Sequence, residues 1–213
     1  MKALVCLPTR NENESIHAMI DGIKKMNYDL IISDEKSTDG TIEIAQRNSV
    51  PVYQRDGSGK GYGIQKALEV ALKQGYDVLV LIDCDNSYPA ERITDLLKFF
   101  PQYDLVVGAR NMKDIQISHR LVNIFHTGLV NSLFGSKLKD INSGMRALKV
   151  EKFEKLLTAE GFDIEAQITT VALKNKFKIE EIAIPYYKRT GNSKIKAWDT
   201  FVIIKRILKE RFS

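Results

Sequence analysis

The chain has 213 residues, 44% hydrophobic and 28% charged, with a formal net charge of +5 at pH 7, a length that suits one domain with a substantial core and no second. Two cysteines, Cys6 and Cys84, are too few for a disulfide framework or a zinc cluster and suit a reduced, cytoplasmic protein. The positive charge is local: residues 188–213 hold eight Lys or Arg against two acids, the remainder is slightly acidic, and general nucleic-acid binding has no support there.

Taken in chain order, Met-Lys-Ala-Leu-Val-Cys-Leu-Pro at the N-terminus reads as an immediate strand, Ala3 to Leu7, rather than a signal peptide. A helix follows from about Glu14 to Met26, then a strand Leu30 to Ser33, a helix Thr41 to Arg47, a short strand at Val52 and Tyr53, and a helix Tyr62 to Lys73. The strand Val78 to Ile82, a helix Ala90 to Phe99 and a strand Leu105 to Val107 complete the regular part. Strands alternating with helices of this length predict right-handed crossovers and an α/β fold with a doubly wound, mainly parallel sheet carrying helices on both faces. Ligands of such sheets sit at the carboxyl ends of the strands. Pro8 to Glu12, Asp34 to Ser37, Asp83 to Asp85 and Gly108 to Arg110 all fall on that edge.

Chemistry is most concentrated after Val78-Leu79-Val80-Leu81-Ile82, where an apolar run ends in Asp83-Cys84-Asp85. Ionised carboxylates at the end of a buried strand are costly unless a cation or hydrogen-bond donors satisfy them. Hard oxygen ligands suit Mg²⁺ or Mn²⁺ shared with substrate phosphates, so Asp83 and Asp85 are the predicted metal holders and a nucleoside diphosphate the predicted ligand. The alternative is that the acids cap the next helix.

Upstream, Asp34 and Glu35 are suited to accept hydrogen bonds from a base or ribose, while Ser37, Thr38 or Asp39 caps the following helix. Gly57-Ser58-Gly59-Lys60-Gly61-Tyr62-Gly63 fails the Walker pattern, because Gln54 and Gly61 stand where glycine and Ser or Thr are required. It reads either as a structural turn or as backbone N–H groups and Lys60 offered to an anion. Arg110, Arg120, Arg146, Arg189 and Lys194 are either solvated charges or a cradle for phosphate oxygens. His17, His119 and His126 lack metal or triad spacing and read as structural or surface residues.

The second half is less regular. Ile117 to Phe134 carries a broad apolar helical stripe including Leu121, Ile124, Phe125, Leu129 and Leu133. A loop with Asp140, a strand Met145 to Leu148, helices Lys152 to Leu157 and Glu165 to Lys174, and a strand Ile179 to Pro185 follow. The final helix, from about Ala197, mixes Trp198, Phe201, Ile204, Ile207, Leu208 and Phe212 with Lys205, Arg206, Lys209 and Arg211. It suits either docking on the core or lying on an anionic membrane surface, and no apolar run reaches the ~20 residues of a bilayer span.

Pro8-Thr9-Arg10-Asn11-Glu12-Asn13-Glu14, the segment Asp34 to Thr41, Gly59-Lys60-Gly61 and Asp83-Cys84-Asp85, in that order, resemble the inverting glycosyltransferases of family 2, with GT-A fold. Asp140-Ile141-Asn142-Ser143-Gly144-Met145-Arg146 and the segment Pro185 to Lys194 look like the branch of dolichyl- and polyprenyl-phosphate mannosyl-, glucosyl- and N-acetylglucosaminyltransferases. The resemblance implies a catalytic domain over 1–195 and a basic amphipathic helix over 196–213. It implies that Pro8, Arg10, Glu12, Asp34 and Glu35 surround the nucleoside, that Asp83 and Asp85 face metal and diphosphate with Asp85 the direct ligand, and that Arg189 and Lys194 grip the diphosphate. Arg110 and Arg120 then face the lipid phosphate, and Asp140 stands where relatives with hydroxyl acceptors place a base, here to orient the acceptor or an arginine. Two departures stand out: Glu35 where the family often has Asp, and Ser87 where mannosyltransferases often have Gln.

The implied function is inverting transfer of a hexose or N-acetylhexosamine from a UDP- or GDP-sugar to dolichyl or polyprenyl phosphate, with Mg²⁺ or Mn²⁺. The implied setting is peripheral, at the cytoplasmic membrane face, with a membrane-anchor partner or a homodimer as further options. The alternatives are a soluble family 2 enzyme with a saccharide or small-metabolite acceptor, and a non-catalytic nucleotide-sugar binding module.

Overall fold

The computed structural model describes residues 1–55 and 57–213. Its strands are β1 (Ala3–Thr9), β2 (Asp29–Asp34), β3 (Val52–Gln54), β4 (Val78–Leu81), β5 (Leu105–Arg110), β6 (Arg146–Lys149) and β7 (Ile179–Ile184), joined in one sheet of order β3-β2-β1-β4-β6-β5-β7. The helices are α1 (Ile16–Lys24), α2 (Thr41–Arg47), α3 (Lys60–Lys73), α4 (Ile93–Leu97), α5 (Ile117–Phe134), α6 (Val150–Phe153), α7 (Ile164–Lys174) and α8 (Ala197–Phe212). A 3₁₀ turn at Ala90–Arg92 precedes α4, so the predicted helix from Ala90 to Phe99 is divided and shorter.

Every strand is parallel to its neighbours except β6, which runs antiparallel between β4 and β5, with Ala147 opposite both Val80 and Val106. This one reversal shapes the site. It places the start of β6 at the carboxyl edge of the sheet, beside the ends of β4 and β5, so residues 140–144 arrive where the ligand of such a sheet sits.

Both faces of the sheet are covered. Val5, Leu7 and Val80 pack with Ile16, Ile20 and Ile93 on one side, and Leu4, Leu79 and Leu81 pack with Ile64, Phe153 and Ile168 on the other. A third, smaller cluster of Val130, Ile141, Ala166, Ile203 and Ile207 docks α5 and α8 on α7. Burying one such isoleucine stabilises by about 2 kcal/mol, so α8 is a packed element of the domain. Its other face carries Trp198, 70% exposed, with Phe201 and Phe212 also exposed.

The stripe on α5 divides, with Leu129 and Leu133 packed against the third cluster. Leu121, Ile124 and Phe125 face solvent, while Asn123, His126 and Thr127 face inward with Val130. His126 Nδ1 lies 3.1 Å from Asn142 Nδ2, and burial lowers the ring's pKa.

Asp104, buried at the start of β5, gathers Lys149 Nζ at 2.8 Å, Lys152 Nζ at 3.1 Å and the Lys178 N–H at 2.9 Å. Burial alone would raise its pKa, but these donors outweigh it and bring the carboxyl from 3.8 to about 2. A folded-state pKa below the unfolded one adds stability that is present above pH 3.8 and lost as pH falls through about 2. Asp104→Asn is therefore expected to lose about 2 kcal/mol at pH 7. In urea denaturation the gap to the unaltered protein should shrink below about pH 4.

Candidate active site at the carboxyl edge of the sheet

The turns leaving β1, β2 and β4 each contain a left-handed residue, Asn11 at φ 52°, Lys36 at φ 52° and Asn86 at φ 60°. Asparagine tolerates this region and lysine does so less readily, so the turn after β2 is the most strained of the three. The sharp turns lace the first two strands together. Asp34, fully buried, accepts from Thr9 Oγ1 at 2.7 Å, the Ser37 N–H at 2.7 Å and Ser37 Oγ at 2.6 Å. The expectation that Asp34 receives a base or ribose is corrected: its oxygens hold the β1 and β2 turns together. The N-cap position of α2 is Gly40 rather than Ser37, Thr38 or Asp39, although Asp39, just before it, accepts from the Thr41 N–H at 3.1 Å.

Glu35 is likewise occupied by protein donors. Arg10 Nη1 lies at 3.0 Å, Arg55 Nη1 at 2.8 Å, Ser58 Oγ at 2.6 Å and the Gly59 N–H at 3.1 Å. Arg55, which sequence reasoning missed, is buried and also donates to Thr9 O at 2.9 Å. Its pKa is lowered by burial, against the pull of Glu35. Pro8 is half-buried in register with Ser33, and Arg10 stays largely exposed at the rim.

The glycine-rich turn is not an anion cradle. The Gly61 N–H donates to Glu160 O at 2.9 Å, and a Cβ on Gly61 would lie 1.9 Å from Ala159 O. Those glycines therefore let the segment before α7 press against the start of α3. Lys60 is turned to acids instead: its Nζ lies 2.5 Å from Asp83 Oδ1 and also contacts Glu165 Oε1. Burial would lower the pKa of Lys60, but Asp83 and Glu165 raise it overall. Asp83 is raised by burial yet lowered overall by Lys60. Glu165 carried no local signal, because Lys60 and Asp83 are remote from it in sequence.

Asp85 is held differently. Its Oδ1 accepts the Ser87 N–H at 3.1 Å and the Ser87 hydroxyl, and its Oδ2 faces Arg189 Nη2 at 3.2 Å. The segment after β7 straps over this corner, with the Thr190 N–H on Asp85 O at 2.8 Å, the Tyr187 N–H on Ser87 O at 2.9 Å, and Lys194 Nζ on Glu12 Oε1. Burial raises the pKa of Glu12 despite Lys194.

On the far side, Arg110 donates from Nε to Asp140 Oδ2 at 2.7 Å and from Nη2 to Asp140 Oδ1 at 2.9 Å, with its guanidinium over the Tyr186 ring. Asp140 is fully buried, so of the two expected roles it takes that of orienting an arginine. Arg146 overturns its expectation altogether. It is fully buried and spends its donors on Ser143 O, Ile141 O and Glu165 O, out of reach of any phosphate. Arg120 lies on α5 beside a surface groove with Lys113 and Gln116 rather than with the other arginines.

Among the described residues, no group of three or more His, Cys, Asp or Glu could hold a metal ion by itself. Asp83 and Asp85 remain as hard oxygen donors, with Asp85 Oδ2 already facing a cation. That set fits Mg²⁺ or Mn²⁺ if substrate phosphates complete the coordination.

Known proteins resemble this chain in sequence and in fold. The sequence profile described as Glycosyl transferase family 2 matches residues 4–157. Glycosyltransferase AglJ of Haloferax volcanii is 31% identical over 89% of the chain, which spans 65% of that relative's length. A dolichyl-phosphate hexose transferase of the same organism is 28% identical, over 97% of the chain and 94% of the relative. The fold matches glucosyl-3-phosphoglycerate synthase from Mycobacterium tuberculosis, crystallised with Mn²⁺, uridine diphosphate and glucosyl-3-phosphoglycerate, at TM-score 0.80 and 21% identity, over 99% of this chain and 80% of that one.

Proposed function

The chain belongs to glycosyl transferase family 2, and from that membership we propose that it transfers a hexosyl or N-acetylhexosaminyl group from a nucleotide sugar to dolichyl or polyprenyl phosphate, inverting the anomeric carbon. The observation that carries this reading is the contact between Asp85 and Arg189. A carboxylate at the carboxyl edge of the sheet faces a guanidinium from a separate strap, an arrangement suited to exchanging a protein cation for a divalent one that arrives with a diphosphate. The relative named as a dolichyl-phosphate hexose transferase, similar along nearly its whole length, supports a lipid phosphate as acceptor.

When bound, Mg²⁺ or Mn²⁺ supplies neutralising charge for the departing diphosphate. Asp85 would hold that ion, while Asp83 faces Lys60 at 2.5 Å. Arg189, now on Asp85, and Lys194, now on Glu12, would then be available to the diphosphate oxygens. Arg110, its fork fixed by Asp140, faces the acceptor phosphate. A phosphate oxygen is already ionised at neutral pH, so no general base is required.

The setting follows from α5 and α8. Leu121, Phe125, Trp198 and Phe201 are exposed on two helices that pack together, and Lys205, Lys209 and Arg211 are exposed among them. This composition suits the cytoplasmic, anionic face of a membrane. Arg206 does not contribute, because it is turned onto Asp163 at 2.7 Å. Among the described residues no helix is long and apolar enough to cross a membrane.

The test is transfer itself. UDP- and GDP-sugars carrying labelled hexoses are incubated with Mn²⁺ and a short polyprenyl phosphate in phosphatidylglycerol vesicles, and label is expected in the organic phase. Replacing Lys205 and Lys209 should weaken vesicle sedimentation. Label that stays in the aqueous phase with every donor would sink the lipid acceptor.

A further inference from the structure

The turn that carries Asp140 is stitched to the protein through four consecutive backbone donors. The Lys139 N–H donates to Glu181 Oε2 at 2.7 Å and the Asp140 N–H to Glu181 Oε1 at 3.0 Å, so one carboxylate on β7 spans two successive amides. The Ile141 N–H donates to Thr127 Oγ1 on α5 at 3.4 Å, and the Asn142 N–H closes the turn on Asp140 Oδ1 at 3.3 Å. The Asn142 side chain lies 3.1 Å from the His126 ring, also on α5. Just beyond, a Cβ on Gly144 would lie 2.1 Å from Asp83 Oδ2, so glycine lets the start of β6 press directly on that carboxylate. A turn held from two separate elements cannot shift without breaking several of these bonds at once.

What the turn holds in place is Arg110. The Asp140 carboxylate accepts the Arg110 N–H at 3.1 Å, Nε at 2.7 Å and Nη2 at 2.9 Å. Two of the five donors of the guanidinium are thereby fixed as a fork, which sets the plane in which the others point. The position of Asp140 is therefore the aim of Arg110.

Glu181 is half-buried, and burial raises its pKa against the pull of both amides. A carboxyl whose pKa rises on folding detracts from stability at neutral pH, so stability alone does not account for a glutamate here. Geometry does, because a carboxylate offers an acceptor to each of two adjacent amides and a carboxamide offers only one.

Resting on the reading that Arg110 faces the acceptor's phosphate, we propose that Glu181 on β7 and Thr127 on α5 are positioning residues. They fix Asp140 from the two sides of its turn and so aim the Arg110 fork at the acceptor.

The experiment is steady-state transfer with sugar nucleotide and polyprenyl phosphate varied separately. It compares the unaltered protein with Glu181→Gln, Thr127→Val, Arg110→Lys and each of the first two combined with the third. Glu181→Gln keeps one acceptor but sets an NH₂ group against the second amide, and its thermal midpoint should stay within about 3 °C. Its KM for polyprenyl phosphate is expected to rise about tenfold or more, while the KM for sugar nucleotide changes by less than about twofold. Thr127→Val, which removes the longer bond, should show the same selectivity at about two- to threefold. Arg110→Lys keeps a charge opposite Asp140 but has no fork to aim, so either change added to it should cost less than about twofold further. Full additional losses on that background, or equal losses for donor and acceptor with a lowered midpoint, would make Glu181 and Thr127 structural residues and overturn the proposal. If Glu181→Gln did not fold, Thr127→Val would decide by the same pattern: an acceptor-selective loss that vanishes beside Arg110→Lys supports the proposal, and its absence sinks it. An unchanged acceptor KM in Arg110→Lys would also sink it while leaving the transferase reading intact. No transfer to polyprenyl phosphate by the unaltered protein would remove the lipid-acceptor reading itself, and this proposal with it.

Discussion

Asp85→Asn is expected to abolish Mn²⁺-dependent binding of a nucleotide sugar and to lower transfer by about a thousandfold or more, ~4 kcal/mol of transition-state stabilisation. The amide still accepts the Ser87 N–H through Oδ1, so the turn after β4 keeps its form. What disappears is the formal charge on the atom that faces Arg189 at 3.2 Å. Folding should therefore change by no more than about 1 kcal/mol, since only one partly exposed ion pair is lost. Manganese electron paramagnetic resonance, with and without UDP or GDP, reads the metal directly, and thermal unfolding confirms the fold. Retention of nucleotide-dependent Mn²⁺ binding by the asparagine variant would take the cation away from Asp85 and overturn its assignment as the residue that holds it.

Arg146→Met should produce the largest loss of stability, about 3–5 kcal/mol. The guanidinium donates to Ser143 O at 3.0 and 2.5 Å, to Ile141 O at 3.1 Å and to Glu165 O at 2.9 Å, all fully buried. Methionine fills much of the volume but offers none of these donors, so Ser143 O and Ile141 O lose them away from water, while Glu165 O keeps Thr169 Oγ1 at 3.0 Å. For a domain of this size that loss lowers the thermal midpoint by roughly 6–20 °C. A urea midpoint that did not move would mean that the carbonyls find other partners. Because the same carbonyls belong to the segment that presses on Asp83 and to the first turn of α7, the variant should also lose affinity for sugar nucleotides at temperatures where it is still folded.

Arg146 also illustrates what a linear reading can and cannot see. An arginine beside Gly144 and Met145 looks the same in sequence whether it faces a phosphate or three carbonyls, and the choice depends on where Glu165 and Ile141 end up. Arg189 and Lys194 enter through the family resemblance of the segment Pro185 to Lys194, and the fold sets them against Asp85 and Glu12. The glycines around Lys60 leave two readings open in sequence, a structural turn or a lysine offered to an anion. Those glycines serve the close approach of Ala159 and Glu160, and the approach brings Glu165 to the lysine. The α5 stripe divides for a related reason. Period alone groups its apolar residues, while the fold packs Leu129 and Leu133 against the α8 cluster, turns the polar Asn123, His126 and Thr127 inward and leaves Leu121 and Phe125 exposed.

The sequence by itself determined the alternation of strands and helices, the edge on which ligands belong, and the Asp83 and Asp85 pair at the end of the most apolar strand. These are local properties: an uninterrupted apolar run must be covered on both faces, and a strand has only one carboxyl end. Tertiary structure alone decided the direction of β6, the inward turn of Arg146, the clasp of Asp140 on Arg110, and the partners of Asp34, Glu35 and Lys60. Each of those depends on which charges or carbonyls from distant stretches share one low-dielectric volume, and a buried charge takes whichever partner the packing delivers.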